Sequence, residues 1–319
     1  MEAVHHDILI IGAGMAGLAC ARALADAGLT PRLIDKGRGP GGRMAARRVS
    51  VGDAEVSFDH GAQYFTARDP AFRAAVADWQ AAGAAAPWPA AGADAFVGTP
   101  GMNAPLKAMA RDLSVAWGVR ALALRREGEL WHVATDHGGA ITARSVLVAT
   151  PAEQAADLLR DAAPELAAVP ASVASTPCWA VLAAFAAPLP IATDCMRGEG
   201  AISWAARNSS KPERARAETW VIHASPERSR AMIDQPKQAV VALLLDDFCA
   251  MAGLASLPPL LHGDAHRWLY ALPESAAGGP ATFDPVLRLG LAGDYLHSPR
   301  VEGAFLSGRV LAAAVLAAC

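Results

Sequence analysis

The chain has 319 residues, 53% of them hydrophobic, and a formal net charge of −3 at pH 7. That length allows two domains with sizeable cores, and the mixed charge leaves no basic footprint for nucleic acid. Five scattered cysteines without a C-x-x-C pair, and dispersed histidines, exclude a disulfide framework, a redox dithiol and a metal constellation, and fit reduced thiols in a cytoplasm.

Residues 7–11 form an apolar strand running into Gly12-Ala13-Gly14-Met15-Ala16-Gly17, a G-x-G-x-x-G turn that opens a helix over 15–27. A second strand over 31–34 ends in Asp35, at the spacing of a dinucleotide-binding βαβ unit. In such a unit Gly12 permits the sharp turn, Gly14 keeps a side chain out of the pyrophosphate's way, and Gly17 lets the helix pack closely on the sheet. The helix aims its free N–H groups and positive dipole end at the phosphates, and Asp35 accepts hydrogen bonds from the adenosine ribose. The segment preceding the first strand has no basic export-signal region.

Lys36-Gly37-Arg38-Gly39-Pro40-Gly41-Gly42-Arg43-Met44 follows, where an NAD-binding domain would run into another helix. Its N–H groups and a guanidinium can grip a pyrophosphate already seated on the first helix; the plainer reading makes Arg38, Arg43, Arg47 and Arg48 a solvated basic loop. Residues 63–97 read as helical and alanine-rich, and a short helix is expected to end at Arg111. A β-meander spans 115–142, and 145–151 is a buried parallel strand followed by a helix. Strands are expected over 179–185, 219–223 and 266–269. The longest uncharged run, 170–193, carries four prolines and cannot be a membrane-spanning helix. Residues 289–295 read as a buried strand ending in Gly293-Asp294, and Arg300-Val301-Glu302-Gly303-Ala304 opens a last helix over 305–318.

Gly42-Arg43-Met44 resembles the G-G-R-x motif with which flavin amine oxidases and their relatives wrap FAD. Phe58-Asp59-His60-Gly61-Ala62-Gln63-Tyr64-Phe65-Thr66-Ala67-Arg68-Asp69 resembles more specifically a segment of bacterial renalases. So do Trp204-Ala205-Ala206-Arg207-Asn208-Ser209-Ser210-Lys211-Pro212, Ala265-His266-Arg267-Trp268-Leu269-Tyr270-Ala271-Leu272-Pro273, and Arg300 to Ala304. The resemblance implies an α/β, two-domain FAD-binding fold: a Rossmann-like FAD domain made of 1–62, 98–168 and 281–319, and an inserted mixed-sheet substrate domain made of 63–97 and 169–280.

It further implies non-covalent FAD held by Gly12, Ala13, Gly14, Met15, Ala16, Gly17, Asp35, Lys36, Gly42, Arg43, Met44, His60, Gly61, Ala121, Asp294, Val301, Glu302, Gly303 and Ala304. Asp294 would hold the ribityl chain or a bridging phosphate, and the last helix would point at the flavin N1–C2=O edge, where reduced flavin carries negative charge. The plainer reading of Asp294 is a helix cap. Gln63, Tyr64, Phe65, Cys178, Asn208, His223, His266, Trp268 and Tyr295 are placed around the ring, each aromatic having ordinary core packing as its alternative. Cys178 stands where a threonine is usual, and Asp35 where glutamate is commonest. The implied activity is oxidation of the 2- and 6-dihydro isomers of NAD(P)H to NAD(P)+, with O2 reduced to H2O2. No side-chain base is needed for this, since loss of hydride restores an aromatic ring. The alternatives are a flavin amine oxidase or desaturase-like enzyme, and a flavin-binding protein without turnover. Lys36, Lys107, Lys211 and Lys237 offer no residue in the apolar context of an N5-directed lysine, which disfavours amine oxidation, and Arg68, Arg207 and Arg267 suit a phosphate-bearing substrate.

Overall fold

The strands that carry the cofactor motifs form the centre of an eight-stranded sheet. In the computed structural model, which describes residues 5–275 and 277–318, its main path runs Thr282–Asp284, Leu289–Leu291, Ala140–Val148, His5–Ile11, Arg32–Asp35, Ser114–Trp117. The expectations for the segment before residue 5 and for the Cys319 thiol lie outside the described residues. Leu9, Ile10, Leu33, Leu147 and Val148 are buried on both sides of the sheet, which is why these strands read as near-continuous apolar runs. Their pairings are parallel, with Ile10 opposite both Leu147 and Leu33.

The expected meander divides in two. Ser114–Trp117 joins the parallel sheet beside Arg32–Asp35, with Leu33 opposite Val115. Ala121–Glu127, Leu130–Thr135 and Ala140–Val148 form the antiparallel part. Ser114–Trp117 is four residues long and half-buried over three of them, too short for periodicity to separate it from the antiparallel strands that follow. The helix expected over 15–27 spans Met15–Asp26. The last helix starts four residues earlier than expected, at Val301, and Tyr295 belongs to a short helical turn, Asp294–His297, rather than to the preceding strand. First and last helices cross closely: a Cβ on Gly308 would sit 2.1 Å from the Ala16 carbonyl oxygen.

A second, antiparallel sheet has the order Cys195–Arg197, Ile202–Arg207, Thr219–Ala224, Ser175–Phe185, Leu260–Pro273. Helix Lys237–Met251 covers one face, where Val240, Leu244 and Phe248 pack with Trp220 and Val181. The hairpin Ala46–Val51 and Ala54–Asp59 covers the other, setting Val56 and Phe58 against Leu182 and Val221.

Residues 63–97 are not uniformly helical. Helix Pro70–Ala81 sits among three short strands, Phe65–Thr66, Ala85–Pro87 and Ala95–Gly98. Asp69 caps the helix by accepting from the Ala71 and Phe72 amides, and Pro70 occupies its first position. Phe65, Phe72 and Trp79 pack there with Phe305 of the last helix, Phe72 and Phe305 having ring centroids 5.1 Å apart. Alanine-richness suggested helix throughout; the apolar pairing of Phe65, Phe96 and Val97 overrides that propensity.

Candidate active site

A cavity of about 1070 Å³ opens between the carboxyl ends of the parallel strands and the five-stranded sheet. At the strand ends the chain turns through Gly12, whose φ of +102° and close approach to the Ala149 carbonyl leave no room for a side chain. Gly17 lies against the Gly12 carbonyl, where a Cβ would come within 1.8 Å of the oxygen. A Cβ on Gly14, by contrast, would meet no heavy atom within 4 Å. Gly14 borders the cavity at the N-terminus of helix Met15–Asp26, so backbone and dipole are open to an anion there. These residues fit a dinucleotide's pyrophosphate.

Asp35 lines the cavity and braces the turn, accepting from Ala13 N–H at 2.7 Å and Gly37 N–H at 2.6 Å. Arg43 does not point into open space: its guanidinium forms a two-pronged pair with Asp294, at 2.8 and 2.5 Å. The plainer reading of Arg43 as a solvated cation therefore fails, as does Asp294 as a mere cap. The Arg43 carbonyl accepts from Ala62 N–H at 2.8 Å, and Gly61 passes so close that a Cβ would lie 2.0 Å from that oxygen. Glu302, buried in the first turn of the last helix, accepts from the Arg68 and Asp69 amides at 2.6 and 2.7 Å.

Among the residues expected to hold the cofactor, Gly12, Gly14, Met15, Ala16, Asp35, Lys36, Gly42, Arg43, Met44, Gly61, Ala121, Asp294, Val301, Glu302 and Ala304 line this one cavity. Ala13, Gly17, His60 and Gly303 lie behind the wall. Gly303 packs against the Ser298 carbonyl, and the His60 ring stacks on Trp268 at 5.3 Å. Of the residues expected around the substrate, Gln63, Tyr64, Phe65, Cys178, His223, His266 and Trp268 line the cavity. Asn208 and Tyr295 do not. Asn208 is fully buried, accepting from Asp59 N–H and donating to the Ser57 carbonyl, and ties the hairpin to the second sheet. Tyr295 is a core residue whose ring folds over Gly293; burial first, then the Asp294 charge, pushes its phenol up.

The histidines and the cysteine at the site are kept uncharged. His266 is held down to about 4 by burial and then by the Arg47 guanidinium, which contacts its Nδ1 at 3.0 Å. His223 is held down to about 4 by burial and then by Lys211. His60 is held down to about 3 by burial and then by His266 and Arg47. Burial pushes the Cys178 thiol up to about 12.

Three charged groups escaped sequence reasoning. Asp59, Lys211 and Arg214 are buried together behind Gln63, so Lys211 does sit in an enclosed setting, with its ammonium 5.3 Å from the Trp88 ring. The signal was a lone acid at the end of strand Ala54–Asp59 and two cations three residues apart after Ser210; only the fold brings them together. Arg207, expected near a phosphate, is instead spent on Asp194 and Glu218 over the Trp220 ring, whereas Arg68 and Arg267 reach the cavity.

The family model for NAD(P)-binding Rossmann-like domains matches residues 10–79, and that for flavin-containing amine oxidoreductases matches residues 89–316. A hydroxyneurosporene desaturase of Rubrivivax gelatinosus is 46% identical over 63 residues, a stretch covering 20% of this chain and only 11% of that protein. Among solved structures, a protein assigned as a protoporphyrinogen oxidase, from Exiguobacterium sp. 255-15, superposes with a TM-score of 0.70 at 13% identity, covering 98% of this chain and 99% of the other. Putrescine oxidase bound to putrescine gives 0.67 at 14% identity, covering 99% and 100%. At that identity the superpositions speak for the fold. The family match, joined to the glycine turn and the Arg43–Asp294 region, shows that the chain belongs to the flavin-containing amine oxidoreductases, FAD-dependent enzymes with a Rossmann-like dinucleotide domain.

Proposed function

We propose that this protein is an FAD-dependent oxidase for the 2- and 6-dihydro isomers of NAD(P)H, yielding NAD(P)+ with O2 reduced to H2O2. The observation that carries the reading is the charge arrangement of the cavity wall. Each of its carboxylates is engaged: Asp35 and Glu302 by backbone amides, Asp294 by Arg43 and Asp157 by Arg160. Arg68, Arg120 and Arg300 also line it and make no ion pair among the described residues. A phosphate-bearing substrate meets guanidinium groups there, whereas an ammonium meets no unengaged acid.

The imidazoles of His223 and His266 are too weakly basic to take protons near neutrality. This suits a substrate that surrenders hydride and gains aromaticity, with Gln63, Tyr64 and Trp268 orienting the nicotinamide. FAD held in this cradle would supply the hydride acceptor and the route for electrons to oxygen. In this reading Gly12, Gly14 and the first helix hold the pyrophosphate, Asp35 the adenosine ribose, and Arg43 with Asp294 the adjoining phosphate or ribityl chain. Residues 1–62, 98–168 and 281–319 form the FAD domain, the remainder the substrate domain. The cytoplasm is the proposed location; no helix among the described residues is long and apolar enough to cross a membrane.

A second reading, amine oxidation or desaturase-like dehydrogenation, draws support from the names of the relatives, putrescine oxidase and hydroxyneurosporene desaturase among them. Anaerobic stopped-flow mixing of the yellow holoprotein with isomerised NADH, authentic NADH or putrescine separates the two, read as bleaching near 450 nm, a property of the cofactor. Fast bleaching by the isomers and slow bleaching by the others is the expected result. Faster bleaching by putrescine or ordinary NADH would overturn the proposal, and no bleaching by any of them would favour a flavin-binding protein without turnover.

A further inference from the structure

Behind the cavity wall lies a cluster whose charges do not cancel. Asp59 is fully buried, and its Oδ2 accepts from Lys211 Nζ at 3.1 Å and from an Arg214 guanidinium nitrogen at 2.6 Å. Its Oδ1 accepts from Met102 N–H at 2.9 Å. Both cationic side chains are as buried as the acid, so one carboxylate serves two cations. The second contact of Lys211 Nζ is Gln63 Oε1, at 3.1 Å. An ammonium can only donate, so it decides which end of the Gln63 carboxamide faces it. The amide nitrogen must then point the other way, to the Asp59 and Gly61 carbonyls and towards His223 Nε2 at 3.4 Å. Gln63 and His223 line the cavity; Lys211 does not touch it.

We propose that Lys211 is a positioning residue: through the Gln63 carboxamide it fixes the orientation of the polar wall formed by Gln63 and His223, and its charge adds to burial in opposing a proton there. The proposal is independent of which reductant the enzyme takes. The groups facing Lys211 are Asp59, Arg214 and Cys195, and those facing His223 are Lys211, Gln63 and the His60 backbone. Removing the Lys211 charge leaves Asp59 and Arg214 as a one-to-one pair, so Lys211→Met does not strand a charge in the core. The competing role, a mere internal staple, predicts that any variant that folds leaves the wall as it was.

The test is solution NMR of FAD-loaded protein labelled with 15N in Gln and His side chains, in wild type, Lys211→Met, Lys211→Gln and Lys211→Arg. In Lys211→Met the His223 titration midpoint is expected to rise from about 4 part of the way towards its ordinary value, burial still holding it down, and the Gln63 amide resonances to move. Lys211→Gln restores a donor without the charge, so the Gln63 resonances stay near wild type while the His223 midpoint still rises. Lys211→Arg, which keeps both, leaves both readouts in place. A His223 midpoint unchanged in Lys211→Met, with Gln63 unmoved, overturns the proposal. Should Lys211→Met fail to fold or to load FAD, Lys211→Gln decides it by the His223 midpoint alone.

Discussion

Replacing Gly14 or Gly17 by alanine adds one methyl group three residues apart in the same turn, and the structure assigns the two opposite consequences. At Gly17 the new Cβ would lie 1.8 Å from the Gly12 carbonyl oxygen, a rigid backbone atom, so helix Met15–Asp26 must shift off the sheet. Overpacking of this kind costs about 1–3 kcal/mol, or roughly 1.5–4.5 °C in Tm for a chain this size. At Gly14 the Cβ meets nothing within 4 Å, and its φ of −79° and ψ of −168° suit any residue. FAD-stripped Gly14→Ala should therefore melt within about 1 °C of wild type. In the proposed reading, however, its methyl fills the space through which the helix amides reach the pyrophosphate. Losing one such charge-assisted contact costs about 1.5–3 kcal/mol, a rise in Kd of roughly tenfold to a hundredfold. Calorimetry of the stripped proteins and titration of FAD by fluorescence quenching read the two effects separately. Gly14→Ala binding FAD with wild-type affinity, or melting as early as Gly17→Ala, would refute the assignment of this turn.

Arg43→Ala deprives the nearly buried Asp294 of its two-pronged partner and should cost about 1–3 kcal/mol in urea unfolding, as well as weakening FAD more than Arg47→Ala does. Arg48, paired to Glu55 at 3.7 Å with both side chains two-thirds exposed, should give less than about 0.5 kcal/mol when replaced by alanine; equal losses at 43 and 48 would contradict the structure. Asp59→Asn leaves Lys211 and Arg214 buried without a counter-charge and should destabilise by about 3–5 kcal/mol in the same assay, so a wild-type unfolding midpoint would count against the cluster. His60, His223 and His266 are all depressed from 6.5, so the unfolded chain takes up protons that the folded protein refuses: their stabilisation is complete above pH 6.5 and is lost as pH falls towards about 4. Lys211, depressed to about 8, acts in the alkaline window, adding stability as pH rises from about 8 to 10.5, and Lys211→Met should lack that rise; calorimetry across pH 4–10.5 checks both windows.

The residues proposed to cradle the cofactor could be picked out in the sequence because their signals are local. The turn from Gly12 to Gly17, the acid at Asp35 and the loop at Gly42–Met44 each derive their meaning from neighbours a few residues away, and the structure brings them to one cavity. What could not be read was where a side chain points once distant strands meet. Tyr295 follows Gly293-Asp294 directly, yet the chain enters a helical turn at Asp294, which folds the ring into the core. Arg207 and Arg267 look equivalent as sequence, but Glu218 and Asp194 capture the first. Lys211 looked like one more polar residue in a Ser-Ser-Lys-Pro stretch; only the pairing of Ile202–Arg207 with Thr219–Ala224, and the hairpin ending at Asp59, shows that it is enclosed. Non-local burial has no short-range signature in the chain.

The close crossing of first and last helices at Gly308 also sets an order of assembly. During synthesis, a nascent chain that has completed the glycine turn still lacks Leu289–Leu291, which completes the parallel pairing with Ala140–Val148, and the helix on which Met15–Asp26 rests. At roughly 5–20 residues per second, about 15–60 s pass between the two. Over that interval the apolar faces of Leu18, Leu24 and Leu33 lack their final cover and the pocket lacks one wall. Flavin capture therefore waits for the last helix to be made, and removing that helix should abolish cofactor retention before it abolishes the first βαβ unit.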